Sequence, residues 1–174
     1  MTAAVDEIER KWVVLREWVD WPDGQAVESD SYIIQTGLQH PDEDRGSIER
    51  VRHRRYDDGR LELTHTVKHS TGHPGIRKEI EREITEAEYE LLLERRHPAM
   101  VPIRKQRRVF IYEGHTFEFD SFREPVMSVF VLECELPSLN AEVQLPPWLP
   151  VDREVTDEPG WTNTSIALNN GPPA

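Results

Sequence analysis

The sequence predicts a mainly β (α+β) chain whose sheet closes on itself, with seven or eight strands and a few flanking helices. Three observations lead there. Apolar and ionisable side chains alternate with period two in one segment after another. Turn signals built on Gly, Pro and Asp separate those segments. Only one stretch carries a strong helix-start signal. At 174 residues the chain has room for one core and not comfortably for two, so residues 1–168 are read as a single domain and 169–174 as a flexible tail.

The elements follow in order. Residues 6–15 alternate charged and apolar side chains. Trp21-Pro22-Asp23-Gly24 reads as a turn, 31–36 as a short strand and 39–46 as an acidic surface loop containing Asp42-Glu43-Asp44. Residues 50–56 and 61–69 form a hairpin about Asp57-Asp58-Gly59. Residues 78–84 alternate again. Thr85-Glu86-Ala87-Glu88 is a capping box, so a helix follows through Leu91, Leu92 and Leu93, with Arg95 and Arg96 complementing its dipole before Pro98. Three further strands fit 103–112, 115–122 and 129–136, with a short helix at 138–143. Trp12, Trp18 and Trp21 are expected to pack beneath the loop that follows the first strand.

Composition narrows the class. A charged fraction of 31% beside 37% hydrophobic residues still permits folding, because the apolar residues fall in spaced runs. The net charge of −12 argues against a general nucleic-acid binder. No apolar run is long enough to span a membrane, and MTAAVDEIER lacks the basic and apolar regions of a secretory signal. The single Cys134 cannot form an internal disulfide, which fits a cytoplasmic location. Cys134 is read as a small core residue, and His65 with His69 as too few ligands for zinc.

The chemistry lies in the charges. In most strands ionisable residues recur at i and i+2, hence on one face about 6.6 Å apart. They are Glu7, Glu9 and Lys11; Arg52 and Arg54; Glu79, Glu81 and Glu83; Lys105 and Arg107; Glu118 and Asp120; Glu133 and Glu135. Lys68 stands alone in its strand. For one strand a solvated outer face explains this. Across six strands the explanation weakens, because whole strands carry one sign. Segregated signs suit a closed barrel with a cationic and an anionic wall. A wall of Lys and Arg wants several anionic oxygens, typically phosphate. Clustered carboxylates need cations to stay ionised, and oxygen-only donors select Mg²⁺ or Mn²⁺.

At this point the sequence resembles a known family. Glu7-Ile8-Glu9-Arg10-Lys11 is similar to the ExExK signature of the CYTH superfamily, the triphosphate tunnel metalloenzymes. The resemblance continues in order through Arg52-His53-Arg54, Lys68, the acidic strand at 79–83, Lys105-Gln106-Arg107, Phe119-Asp120-Ser121-Phe122, Glu133-Cys134-Glu135, Glu154-Val155-Thr156 and Trp161-Thr162-Asn163. It implies an eight-stranded antiparallel tunnel with a polar, charged lumen. It also implies Mg²⁺ or Mn²⁺ on Glu7, Glu9, Glu79, Glu81, Glu133 and Glu135. Phosphate would lie on Lys11, Arg52, Arg54, Lys68, Lys105 and Arg107, with Lys105 and Lys11 as catalytic lysines. The implied activity is hydrolysis of inorganic tripolyphosphate or an organic triphosphate, the alternatives being an adenylate cyclase and a non-catalytic polyphosphate binder. Expected partners are a triphosphate-containing small molecule, a nucleic acid only through a 5′-triphosphate end, no membrane, and a second copy in a possible homodimer. One departure stands out. Some tripolyphosphatases of the family carry Gln-x-Tyr-Leu, whose Tyr pairs with a lysine. Here Gln35-Thr36-Gly37-Leu38 puts Gly37 at that place, with Tyr32 or Tyr56 as candidate substitutes.

Overall fold

The computed structural model describes residues 4–16, 19–39, 47–73, 76–138 and 140–173. Nine strands form one antiparallel sheet: β1 (Val5–Leu15), β2 (Ser29–Leu38), β3 (Ser47–Tyr56), β4 (Leu61–Ser70), β5 (Ile76–Glu83), β6 (Ile103–Tyr112), β7 (His115–Glu124), β8 (Val129–Glu135) and β9 (Val151–Glu154). Helix α1 (Glu86–Leu93) lies between β5 and β6, and α2 (Asn163–Asn169) ends the fold. The neighbour order is β5-β4-β3-β2-β6-β7-β8-β1-β9, and an additional β5–β1 pairing closes the first eight strands into a barrel. β1 is long enough to serve three partners. Its first residues pair with β5 (Val5↔Glu79 to Ile8↔Ile76), its later ones with β8 (Glu9↔Glu135 to Leu15↔Val129), and β9 joins at Trp12–Val14 on the edge that β5 leaves.

Hairpin chemistry sets the register. Glu113 and Gly114 both have positive φ (47° and 76°) between the paired residues Tyr112 and His115, the two-residue turn that matches strand twist. The apolar side chains point outward from the barrel and are covered there. Trp12, Phe110, Phe117, Phe119, Leu132 and Cys134 form one cluster, with Trp21 and Trp148 packed over it. Trp21 meets Phe110 edge-on at 5.0 Å, as expected of a tryptophan packing under its loop. On the other flank Tyr89 of α1 seals Leu38, Val51 and Leu63. A third cluster closes one end of the lumen. Ile103, Phe122, Val131 and Val13 continue the inward rows of Lys105, Asp120, Glu133 and Lys11, and Trp161, Ile166 and Ala167 pack on them.

Several expectations shift. The capping box is present, with Glu88 N donating to Thr85 Oγ1 and Thr85 N to Glu88 Oε2. Arg95 does not serve the end of α1, however. It turns to the buried Glu49, 2.7 Å away, because a full carboxylate charge outweighs the partial charge of a helix end. Residues 138–143 form no helix among those described. Ala141, Val143 and Leu145 all pack on the aromatic cluster, a period-two pattern that an extended chain satisfies. The tail expected after 168 is packed as far as Pro173: Asn170 caps α2 with φ 53°, Gly171 is buried, and Pro173 sits over Gly160. Trp18 and Asp42-Glu43-Asp44 lie outside the described residues. No described helix is long and apolar enough to cross a membrane.

Candidate active site

Strand alternation and neighbour order together sort the charges. β4, β3, β2 and β6 are consecutive in the barrel and bring Lys68, Arg52, Arg54, Lys105 and Arg107 to one side. β7, β8, β1 and β5 are consecutive opposite them, carrying Glu118, Glu133, Glu135, Glu7, Glu9, Glu79 and Glu81, with Lys11 among them. All twelve residues singled out for metal and phosphate line one cavity of about 180 Å³. The same cavity holds residues that sequence reasoning missed. Arg50 extends the Arg52–Arg54 row by one step, and Arg77 extends the Glu79–Glu81 row, so the period-two signal for both was present. Thr162 and Asn163 at the start of α2 belonged to the ordered resemblance but were given no role there, and Thr164 beside them had no such signal.

The two walls are in contact. Lys68 Nζ lies 2.5 Å from Glu7 and 2.7 Å from Glu79. Lys11 Nζ is 2.8 Å from Glu133 and 3.7 Å from Glu9. Arg52 donates to both oxygens of Glu81 (3.0 and 3.1 Å), which also accepts from Thr66 at 2.6 Å. The fully buried Asp120 accepts from Lys105 Nζ at 2.6 Å and from Arg107 Nε and Nη2 at 2.7 and 2.6 Å. Arg107 also meets Glu133 at 2.8 Å and pairs with Glu118. Arg50 is different: Nη1 donates to Gln35 at 2.9 Å, while its buried Nε, like that of Arg52, has no hydrogen-bond partner among the described residues. Arg54 donates to Ser31 and stacks on Tyr56 at 4.4 Å, with no ion-pair carboxylate among the described residues.

Electrostatics separates the two lysines. Burial disfavours the charge on Lys11, but Glu133 and Glu9 override it and raise the pKa. For Lys105, burial and the nearby Arg107 lower the pKa, and Asp120 offsets them only in part. Burial would raise Glu133, yet Lys11, Lys105 and Arg107 hold it well below the usual carboxylate range. Glu135 goes the other way, pushed up by burial and then by Glu118, Glu7, Glu79 and Glu9.

No family model matches the sequence. An inorganic triphosphatase of Acetivibrio thermocellus is 37% identical over 67 residues, which are 38% of this chain and 42% of that protein, so the match spans less than half of the curated relative. Among solved structures, the inorganic triphosphatase NE1496 is 26% identical, with a TM-score of 0.57 over 94% of this chain and 95% of its own. PH1819 of Pyrococcus horikoshii OT3 has a TM-score of 0.59 at 22% identity, over 77% and 80% of the two chains. A Hippeastrum putative adenylyl cyclase, described as having a dominant triphosphatase activity, gives 0.54 at 17% identity over 76% and 80%. At those identities the last two bear on the fold alone. The fold is that of the CYTH superfamily.

Within the CYTH tunnel, the departure at Gly37 has a structural counterpart. Gly37 faces the lumen opposite Arg50 and is not in the left-handed region. A Cβ there would stand 2.4 Å from Met100 Sδ, so the methionine already fills the space a side chain would enter. Neither candidate tyrosine replaces it. Tyr32, one step out of phase with Ser31 and Ile33, faces outward and bonds Arg104. Tyr56 donates to Glu62 at 3.1 Å and is not among the residues lining the cavity. Elsewhere, His65 bonds Glu49 and His69 bonds Ser47, both on the outer face.

The acidic wall fits a hard cation by donor chemistry. Its donors are carboxylate oxygens, Glu135 is crowded by four others, and the buried Oε2 of Glu79 has only an ion-pair contact without a well-directed hydrogen bond. Among the described residues no three carboxylate, His or Cys groups stand ready as a ligand set. Lys68, Lys11 and Arg52 hold five of the carboxylates apart.

Proposed function

We propose that this chain is a divalent-metal-dependent hydrolase of inorganic triphosphate. The observation that carries the reading is the facing pair of walls in one cavity, with the buried Nε donors of Arg50 and Arg52 unsatisfied among the described residues. Unsatisfied buried donors on one wall ask for anionic oxygens. Two relatives described as inorganic triphosphatases support the choice of anion.

In this reading Arg50, Arg52, Arg54, Lys68, Lys105 and Arg107 bind and align the phosphate chain. Glu7, Glu9, Glu79, Glu81, Glu133 and Glu135 would hold Mg²⁺ or Mn²⁺, which when bound would supply charge to the phosphoryl oxygens and a polarised water. Lys105 is the better proton donor to the leaving oxygen, because burial and Arg107 bring its pKa down. Lys11, held protonated by Glu133 and Glu9, stabilises charge and positions those carboxylates. The apolar plug around Trp161 and Ile166 keeps water from one end.

The test is a substrate panel of tripolyphosphate, ATP and thiamine triphosphate with Mg²⁺ or Mn²⁺, scored for orthophosphate and cyclic AMP. Orthophosphate chiefly from tripolyphosphate is expected. Cyclic AMP from ATP would overturn the hydrolase. The occupied space at Gly37, where Met100 stands in place of a side chain, favours one second reading, a non-catalytic binder. Tight tripolyphosphate binding without turnover would select it.

A further inference from the structure

The tunnel carries its own counter-ions, and Lys68 is placed so that two sites compete for it. Its ammonium reaches from β4 across β5 to β1, meeting Glu7 Oε1 and Oε2 at 2.6 and 2.5 Å and Glu79 Oε2 at 2.7 Å. Two hydrogen bonds go to Glu7, and the Glu79 oxygen lies within ion-pair distance though out of line for a hydrogen bond, so a phosphate gains Lys68 only by drawing it away from both carboxylates. The three side chains are only 12%, 14% and 15% exposed, so water replaces a lost partner only in part. Moving Lys68 to a phosphate therefore strands two neighbouring carboxylates, and seating a metal ion on those carboxylates strands Lys68. Either move alone leaves a buried charge unpaired; both together leave none.

We propose that Lys68 is an exchange residue: in the free protein it occupies the place of a cation between Glu7 and Glu79, and it passes to phosphate as a metal ion takes those two carboxylates. This rests on reading the tunnel as a metal–triphosphate site. Its consequence is that metal and phosphate each create the other's binding groups, so their coupling is positive and reciprocal. Free protein should bind either one weakly.

The test uses Mn²⁺ alone, because tripolyphosphate would chelate the metal in solution. Binding is read from loss of the free Mn²⁺ signal in electron paramagnetic resonance, on ligand-free wild type, Lys68→Met and Lys68→Arg, with melting curves to verify folding. Lys68→Met should bind Mn²⁺ about tenfold tighter or more, the scale of a released charge-assisted contact, and Lys68→Arg should stay near wild type. A second arm measures tripolyphosphate binding in EDTA, where Glu79→Gln should bind tighter than wild type because its lysine is partly freed. Equal or weaker Mn²⁺ binding by folded Lys68→Met overturns the exchange. If that variant does not fold, equal or weaker binding by Glu79→Gln overturns it instead. Absence of Mn²⁺ binding by the wild type and by folded Lys68→Met alike sinks the metal-dependent reading itself.

Discussion

Asp120→Asn is the most informative single change in the tunnel. The carboxylate is fully buried and receives three hydrogen bonds from Lys105 and Arg107. Asparagine keeps the volume but replaces one acceptor oxygen with a donor NH₂, which must then face an ammonium or a guanidinium. Arg107 retains Glu133 and Glu118, whereas Asp120 is the only carboxylate within ion-pair distance of Lys105 among the described residues. The loss therefore falls mainly on Lys105. Breaking one partner of a buried pair costs about 3–5 kcal/mol, which for a chain this long lowers the melting temperature by on the order of 10 °C. The gap should depend on pH in one direction. Burial would raise Asp120, but Arg107 and Lys105 lower it below its unfolded value, so its stabilisation is present above that unfolded value of about 3.9 and is lost as pH falls through the folded one. Melting curves of both proteins should thus converge in acid. Tripolyphosphate with Mn²⁺ should raise the melting temperature of the variant more than that of wild type, because the stranded Lys105 gains the counter-charge it lacks. Wild-type stability at neutral pH would refute the claim that Asp120 holds this pair in place.

Arg50→Met should weaken tripolyphosphate binding by about 1.5–3 kcal/mol in titration calorimetry, with melting temperature unchanged or raised, since burial and Arg52 already disfavour its charge. Arg95→Met should destabilise the protein by stranding the buried Glu49, whose pKa lies below normal because Arg95 and His65 outweigh burial; its stabilisation is lost as pH falls through that lowered value, so the difference should shrink in acid. EDTA should abolish tripolyphosphate hydrolysis, with Mg²⁺ or Mn²⁺ restoring it and Ca²⁺ failing, because calcium's longer, looser coordination misplaces the attacking water. Gly37→Tyr should lower the melting temperature alone but not with Met100→Ala, and the double variant should gain kcat over Met100→Ala alone if a phenol assists a lysine there.

What was legible in the sequence was local. Which residues share a face depends only on strand period, so Glu7 with Glu9, Lys105 with Arg107 and Glu133 with Glu135 could be grouped before any partner strand was known. The same rule held Arg50 and Arg77, but the ordered motif began at Arg52 and drew attention past them. Pairing across strands was not legible. Nothing near Lys68 in sequence indicates that it contacts Glu7, 61 residues away. Likewise the outward face of Tyr32 follows from β2 lying between β3 and β6, a fact of topology. The extended path of 138–143 depends on an aromatic cluster assembled from other strands. Arg95 was misread for the same reason, because its carboxylate partner is 46 residues away.

The balance of charge in the lumen bears on what it can accept. Eight Lys or Arg residues and seven Glu residues face the lumen, with Asp120 buried against Lys105 and Arg107, while the whole chain carries −12, so the negative excess lies elsewhere, chiefly on the exterior. A bare polyphosphate approaching that exterior is repelled at long range, and inside it must separate cations from carboxylates that already hold them. A bare divalent ion is drawn to the exterior but finds Lys68, Lys11 and Arg52 in its place. A metal–triphosphate complex escapes both penalties. Its charge is far smaller than that of the free anion, and its two ends match the two walls at once. In the proposed reading, the internal ion pairs of the free barrel would therefore also act as a filter, favouring the ligand that can exchange with both of their halves together.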